Sequence, residues 1–274
     1  MQDNSLNNLQ DKSVMQNKWI DMHCHLDRLE GGPEYALKLA KENGIEKIIT
    51  IGTEPEDLQI VLDLAKKFSP DVFCTIGIHP HEGVKYTDEI GKFLLQNGPR
   101  PEVVAIGEIG LDYYYDQSPR AEQIDAFEKQ LEIAAQLNLP VEIHTRDAEE
   151  DTIRILNKFK GRVVGLIHCF TGTEWLAKEA LDLDFNISIS GVVTFKSADA
   201  LRAVVKDIIP LDRIHVETDA PFLAPIPMRG KSNTSAYMIH TAKVVAGLKN
   251  VTEAELAAIT KQNAKKLFKK LVWD

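Results

Sequence analysis

The chain has 274 residues, of which 44% are hydrophobic and 27% are charged, and its formal net charge is −9. This composition is typical of a globular protein that buries a sizeable core. The acidic balance excludes a protein that holds nucleic acid mainly by releasing counterions. Bound divalent cations would, however, reverse the charge inside a site.

The N-terminal residues 1–17 are rich in Asn and Gln and have neither a basic start nor an apolar core. We interpret them as a disordered polar tail rather than a secretory signal, and assign residues 18–274 to one domain. No run approaches the ~20 apolar residues of a membrane span. Cys24, Cys74 and Cys169 form no C-x-x-C pair and lie in apolar runs, which predicts buried free thiols. The sequence therefore predicts a cytoplasmic protein with no membrane partner, and indicates no stable protein partner.

From Trp19 onward, short β-branched runs alternate with longer segments of helical periodicity. Strands are predicted near residues 19–23, 46–51, 72–78, 103–107, 140–144, 163–168, 185–190 and 213–218. Helices are predicted near residues 33–43, 55–68, 148–159, 173–182 and 197–207. A further helix is predicted after Ser118 as N-cap and Pro119 as first residue. The last helix should begin at Thr252, with Glu255 completing a capping box, and continue to about Leu271.

Eight strands alternating with helices predict a single-domain (β/α)8 TIM barrel. A doubly wound open sheet is the competing fold, but it usually has a glycine-rich first turn, and none follows the first strand. The longest segment without periodicity is 219–235, which contains four prolines. Loops of this length in a compact domain are usually functional.

Residues that ligate metals lie where five β-branched stretches end. The stretches are WIDMHCH, VVAIGE, PVEIHT, VVGLIHC and RIHVETD, and the residues are His23, His25, Glu108, His144, His168 and Asp219. A buried imidazole or carboxylate costs free energy unless it is paired or bound to a metal. The carboxyl ends of barrel strands meet at the face where active sites form, so we expect these six residues to converge there.

The spacing of His23 and His25 places both imidazoles on one side of the first strand, with Cys24 on the other. Imidazoles together with carboxylates suit zinc, manganese or iron, and open positions filled by water and phosphate also admit magnesium. Six ligands exceed the need of one tetrahedral ion. We therefore predict two divalent cations, with Glu108 as the carboxylate that bridges them.

Other polar residues are predicted on the same rim. His79 and His81, in GIHPHE, could ligate metal, contact substrate or protonate a leaving group. Glu217 lies two residues before Asp219 and could orient a ligand or form a structural salt bridge. The phosphate-binding candidates are Arg146, Lys196, Arg229 and Lys231, and the rings on which bases could stack belong to Tyr113, Tyr114, Tyr115 and Phe222.

The chain resembles the TatD family of metal-dependent deoxyribonucleases from about Ile20 to its C-terminus. The resemblance is carried by IDMHCHLD, IGIHPHE, AIGEIGLDYY, LPVEIHTRDA, IHCFTG, ISGVVTFK, VETDAPFLAP and RGKSN. One departure is visible. The family commonly continues its RGK motif to a Glu-Pro pair, whereas this chain has Thr234 and Ser235 at those positions.

The resemblance implies a (β/α)8 barrel whose two metal ions hydrolyse phosphodiester bonds of DNA. It assigns His23, His25 and Asp219 to one ion, and His144 and His168 to the other, with Glu108 bridging. Asp219 is placed to accept a proton from the attacking water, with Glu108 as its catalytic partner. Because no basic stripe or recognition helix is visible, exonuclease action on single strands or ends is expected rather than sequence-specific duplex binding.

Two alternative functions remain open at this point. The same site could perform another metal-dependent hydrolysis, on an amide, a lactone, a phosphotriester or an aminoacyl-tRNA ester. Many amide and phosphotriester hydrolases with this barrel bridge their metals with a modified lysine at the end of the fourth strand, where this chain has Glu108. The other alternative is a binding protein that kept the barrel and lost catalysis. Such a protein usually lacks a ligand, and none is missing here.

Overall fold

A computed structural model of the protein describes residues 17–272, so the predicted tail lies, apart from Asn17, outside the described residues. Its eight strands form one parallel sheet in sequential order. The strands are β1 (Trp19–Cys24), β2 (Ile45–Ile51), β3 (Val72–Ile76), β4 (Val103–Asp112), β5 (Val141–Arg146), β6 (Gly165–Ile167), β7 (Asn186–Ile189) and β8 (Ile214–Val216). The predicted eight-strand (β/α)8 barrel is thereby confirmed.

The barrel closes between β1 and the segment that follows β8. The backbone N–H of Asp219 donates to the carbonyl of His23 at 3.0 Å, and the N–H of His25 donates to the carbonyl of Ala220 at 2.8 Å. Two of the predicted metal-ligating segments thus form the seam themselves. Their side chains are fixed by backbone pairing rather than by a free loop.

Nine α-helices lie within residues 17–272 and cover the outside of the sheet. They are α1 (Gly32–Glu42), α2 (Leu58–Lys67), α3 (Asp88–Asn97), α4 (Arg120–Leu137), α5 (Glu149–Lys158), α6 (Glu174–Asp182), α7 (Asp199–Asp207), α8 (Met238–Lys249) and α9 (Glu253–Leu267). The capping box of Thr252 and Glu255 at the start of α9 is present as predicted. None of these helices has the length and apolarity needed to cross a membrane.

Two predicted helix boundaries are wrong. Ser118 does not cap α4, which begins at Arg120, because the Ser118 hydroxyl instead donates to the carbonyl of His81 at 2.7 Å. The last helix ends at Leu267 rather than Leu271, since Phe268 leaves the helical conformation.

The strands are buried on both faces, as expected when helices cover a parallel sheet. Every residue of β4 is buried, including Glu108 and Asp112. The three cysteines are free, but Cys169 is only partly buried, unlike Cys24 and Cys74. Polar residues inside such a wall need hydrogen-bond partners.

Candidate functional site

The six predicted metal-ligating residues converge at the carboxyl end of the barrel. All except the fully enclosed His23 line one open cavity of about 820 Å³. Glu108 and His144 do not end their strands as expected, because β4 continues to Asp112 and β5 to Arg146. This extension carries the two strands beyond the ligands and adds further side chains to the mouth of the cavity.

His23, His25 and Asp219 form a first group across the barrel seam. The Nε2 atoms of His23 and His25 each lie 3.6 Å from Oδ1 of Asp219. Ligand atoms ~2.1 Å from a tetrahedral ion lie about 3.4 Å from one another. The spacing of this group therefore matches what a single cation requires.

Glu108 lies between this first group and a second pair of imidazoles. Its Oε1 is 2.8 Å from Nε2 of His168 and 3.0 Å from Nδ1 of His144. Its Oε2 is 3.6 Å from Nε2 of His23. The two oxygens of one carboxylate thus face two different sets of imidazoles.

A second layer of buried carboxylates contacts the same imidazoles at the ring nitrogen that does not face Glu108. Oε1 of Glu142 lies 2.6 Å from Nδ1 of His23, and Oε1 of Glu217 lies 3.2 Å from Nδ1 of His168. Oδ2 of Asp112 lies 3.0 Å from Nε2 of His144. Such contacts fix ring orientation at metal sites.

Glu142 and Asp112 were missed by the sequence reasoning, although a signal for Glu142 was present. It precedes His144 by two residues on β5, the spacing that identified His23 and His25. Asp112 stands four residues after Glu108 on β4, which also places it on the same side of the strand.

The carboxylates of this site have imidazoles, and not Lys or Arg, as their ion-pair partners within residues 17–272. This holds for Glu108, Asp112, Glu142, Glu217 and Asp219. His144 faces a carboxylate at each ring nitrogen, whereas a neutral imidazole has only one N–H. Burial opposes its protonation, but the hydrogen bonds to Asp112 and Glu108 raise the pKa of His144. A divalent cation bound among these groups would balance the charge of their carboxylates.

His79 stands apart from the other imidazoles because a backbone group occupies one of its nitrogens. The N–H of His81 donates to Nδ1 of His79 at 3.1 Å. Burial lowers the pKa of His79 to about 4, so the ring is neutral at pH 7 and carries its hydrogen on Nε2. That Nε2 lies 3.5 Å from Oε1 of Glu108. His79 therefore offers a hydrogen-bond donor to the cavity instead of a lone pair.

The four cationic candidates are distributed unevenly around the cavity. Arg146 lines it, whereas Lys196, Arg229 and Lys231 do not. The guanidinium of Arg229 lies 4.1 Å from the ring of Phe195, which does line the cavity.

Divalent cations fit the residues present. Nε2 of His23, which faces both Asp219 and Glu108, is buried without a hydrogen-bond partner in the described part of the chain. Three sets of these residues hold ligand atoms within 4.8 Å of one another. They are His23 with His25 and Asp219, Glu108 with His79 and His144, and His23 with Glu142, His168 and Glu217. Nε2 of His168 lies closer to Oε1 of Glu108 than Nε2 of His79 does, at 2.8 against 3.5 Å. The donor set of imidazole nitrogens and carboxylate oxygens suits zinc, manganese or magnesium.

Comparison with known proteins places the chain among metal-dependent hydrolases. The family model of TatD-related DNases matches residues 20–269. A metal-dependent hydrolase of Bacillus subtilis, YabD, of uncharacterised specificity, is 38% identical over 91% of this chain and 98% of its own length. A protein of Erwinia billingiae named 3′-5′ ssDNA/RNA exonuclease TatD is 34% identical over 86% of this chain and 92% of its own.

The solved structures agree with the family match. The crystal structure of YjjV, a TatD homologue from Escherichia coli K12, is 29% identical, covers 93% of this chain and 99% of its own, and superposes with a TM-score of 0.86. A TatD-family hydrolase from Entamoeba histolytica, 22% identical with a TM-score of 0.80, shares the fold. The chain therefore belongs to the TatD-related DNase family and is a metal-dependent hydrolase.

Proposed function

We propose that the protein hydrolyses phosphodiester bonds of DNA with two divalent cations, Mg²⁺, Zn²⁺ or Mn²⁺. The observation that carries this proposal is Glu108, whose two carboxylate oxygens face separate sets of imidazoles. Support for DNA as substrate comes from the family match and from the Erwinia relative, which is named for activity on single-stranded DNA and RNA.

In this proposal each ion has its own ligands. His23, His25 and Asp219 would hold the first, His144 and His168 would hold the second, and Glu108 would bridge them. When bound, the ions lower the pKa of water and stabilise negative charge on phosphoryl oxygens.

The residues of the chain then supply position and proton transfer. Asp219 accepts the proton of the attacking water through a carboxylate oxygen, and Glu108 holds the two sets of imidazoles at fixed separation. Glu142, Glu217 and Asp112 orient His23, His168 and His144 from behind.

His79 is assigned to the substrate in this proposal. Its Nε2–H donates a hydrogen bond to a phosphoryl oxygen, because its Nδ1 is already occupied by the N–H of His81. His81 lines the same cavity, and its Nε2 lies 3.0 Å from Oδ2 of Asp112. It contacts substrate with its other nitrogen.

We further propose exonuclease action on single strands or on ends. Arg146 contacts the phosphate backbone at the cavity, and Lys196, Arg229 and Lys231 contact the strand outside it. The cavity is open to solvent and enclosed by side chains on several sides, an arrangement that accepts a splayed nucleotide more readily than a stacked duplex. The three free thiols accord with a reducing cytoplasm.

The test uses single-stranded and duplex oligonucleotides that are labelled at either end. They are incubated with protein from which a chelator has removed metal, without added metal and with each metal in turn. Stepwise shortening from one end, dependent on metal, is expected. An aminoacyl ester and a phosphotriester serve as competing substrates. Cleavage of the aminoacyl ester or the phosphotriester while the DNA stays uncleaved would overturn the proposal. If none of the substrates is hydrolysed, the alternative of a binding protein would be favoured.

A further inference from the structure

A turn that follows β4 presents two exposed tyrosines at the mouth of the cavity. Tyr114 and Tyr115 are 56% and 55% exposed, and their rings lie 4.9 Å apart at an interplanar angle of 89°. Both line the cavity. Exposed aromatic rings at a cavity offer planar, largely apolar faces to a ligand.

Arg146 lies over both rings. Its guanidinium carbon is 4.0 Å from the ring centroid of Tyr114 and 4.9 Å from that of Tyr115. This stacking restricts the side chain without using its N–H groups. A restrained guanidinium loses less conformational entropy when it binds an anion than a free lysine would.

Arg146 is also distinguished by its charge balance. Two arginines line the cavity, and the other, Arg28, contacts the carboxylates of Asp57 and Glu54 at 3.1 and 3.5 Å. Among residues 17–272 the guanidinium of Arg146 forms no ion pair, and its contacts are the rings of Tyr114 and Tyr115. It is therefore the cavity cation whose charge is left for a ligand.

The turn is tied to the ligand His144 through one buried carboxylate. Oδ1 of Asp112 accepts from the backbone N–H groups of Tyr114 and Tyr115 at 3.0 and 2.8 Å, while its Oδ2 contacts Nε2 of His144. Arg146 follows His144 by two residues on β5 and so emerges on the same side of the strand. The aromatic pair and the arginine are thus held at a fixed position relative to Glu108.

We propose that Tyr114, Tyr115 and Arg146 form a subsite for one unpaired nucleotide adjacent to the scissile phosphate. Arg146 binds a phosphate of the strand, and the base of that nucleotide stacks on the tyrosine rings. The subsite rests on the proposed function, which it deepens by assigning the preference for single strands to three residues. A base can reach these rings only when it is unstacked from its neighbours.

The experiment compares two single-stranded oligonucleotides in kcat/KM measurements. One is normal, and the other carries tetrahydrofuran residues, which lack a base, on both sides of the scissile linkage. For the parent we expect the normal strand to be preferred roughly 5- to 100-fold, the range of base–aromatic stacking. In Tyr114→Leu/Tyr115→Leu this preference should fall to about 1 to 2, mainly through KM.

Arg146→Lys should instead lower kcat/KM for both oligonucleotides by the same factor, because the phosphate is present in each. The matched control is Arg120→Lys. Arg120 lies 4.1 Å from the ring of Tyr113 on the same turn, but it does not line the cavity. It should leave both values unchanged. The substitutions spare the fold of the turn, since Asp112 holds it by backbone N–H groups.

The outcomes separate the two proposals. If the parent degrades DNA and the tyrosine variant keeps the full preference for bases, the subsite is wrong and the proposed function stands. If the parent does not cleave DNA in any metal, the proposed function fails and the subsite fails with it.

Discussion

Two buried histidines on the same barrel, His168 and His215, have opposite electrostatic surroundings. His168, just after β6, lies between the carboxylates of Glu108 and Glu217. Burial opposes its protonation, yet these two carboxylates raise the pKa of His168 well above its ordinary value. His215, in β8, has the amide oxygen of Asn186 at 3.3 Å as its partner, and burial lowers its pKa to about 3.

The difference teaches that burial of a histidine does not by itself indicate a functional site. The distinguishing feature of the site is that carboxylates lie beside the imidazole and no Lys or Arg in the described residues forms an ion pair with them. Substitutions near His168 should therefore change catalysis and metal binding, and a substitution of His215 should change only stability.

The largest effect is expected for Asp219→Asn. Loss of the proton acceptor and metal ligand should lower kcat by roughly 10³-fold on single-stranded DNA. In the metal-free protein the same variant should unfold at a urea concentration no lower than the parent's, because one partly buried carboxylate has been removed. Full activity in this variant would contradict the role given to Asp219.

His79→Ala should lower kcat by roughly 10²-fold, because one hydrogen-bond donor to a phosphoryl oxygen is lost. The number of ions bound per chain, measured by elemental analysis, should stay the same as in the parent. His79→Gln should recover part of the activity, since its amide also donates. Loss of one bound ion in His79→Ala would show that His79 is a ligand instead.

Glu217→Gln should weaken binding of one ion by roughly 10- to 100-fold, the effect usual for the partner of a metal-bound imidazole. The affinity for the ion is measured by calorimetric titration of the metal-free protein with Mn²⁺. Saturating metal should restore most of the activity, which a purely structural defect would not allow. Unchanged metal affinity would indicate that Glu217 acts only by accepting the N–H of Cys169.

The smallest effect is expected at His215. Its pKa is about 3 in the folded protein and ~6.5 when unfolded, so the unfolded state alone takes up a proton as the pH falls below 6.5. The contribution of neutral His215 to the free energy of unfolding is therefore fully present above that pH. It decreases at lower pH, by about 2 kcal/mol at pH 5. Urea unfolding at pH 7.5 and pH 5 should show that the parent loses this amount more than His215→Gln. Equal losses in the two proteins would contradict the assignment, and activity should not change.

Much of this architecture could be predicted from the sequence, because β-branched runs mark strands that are buried on both faces. The eight strands and the convergence of the six ligating residues follow from that pattern. Helix ends were harder to predict. Ser118 resembles an N-cap, but its hydroxyl contacts the carbonyl of His81, a residue distant in sequence. The helix α3, at Asp88–Asn97, was not predicted at all.

The second layer of the site was only partly predictable. Glu217 was identified from its spacing to Asp219. Glu142 and Asp112 stand at the same even spacing from His144 and Glu108, but they lie inside longer strands and were not recognised. The role of His79 depends on a hydrogen bond from the N–H of His81, and a backbone contact of this kind has no signature in residue type.

The seam between β1 and the segment after β8 has a consequence for the chain as a polymer. An ion held by His23, His25 and Asp219 would cross-link β1 to the segment after β8. The loop it closes would contain β2 to β8 and the helices α1 to α7. Cross-links that close long loops restrict the unfolded chain most. The same ion would thus stabilise the closed barrel. Hydrogen exchange of the backbone amides of Asp219 and His25 should therefore slow when metal is added.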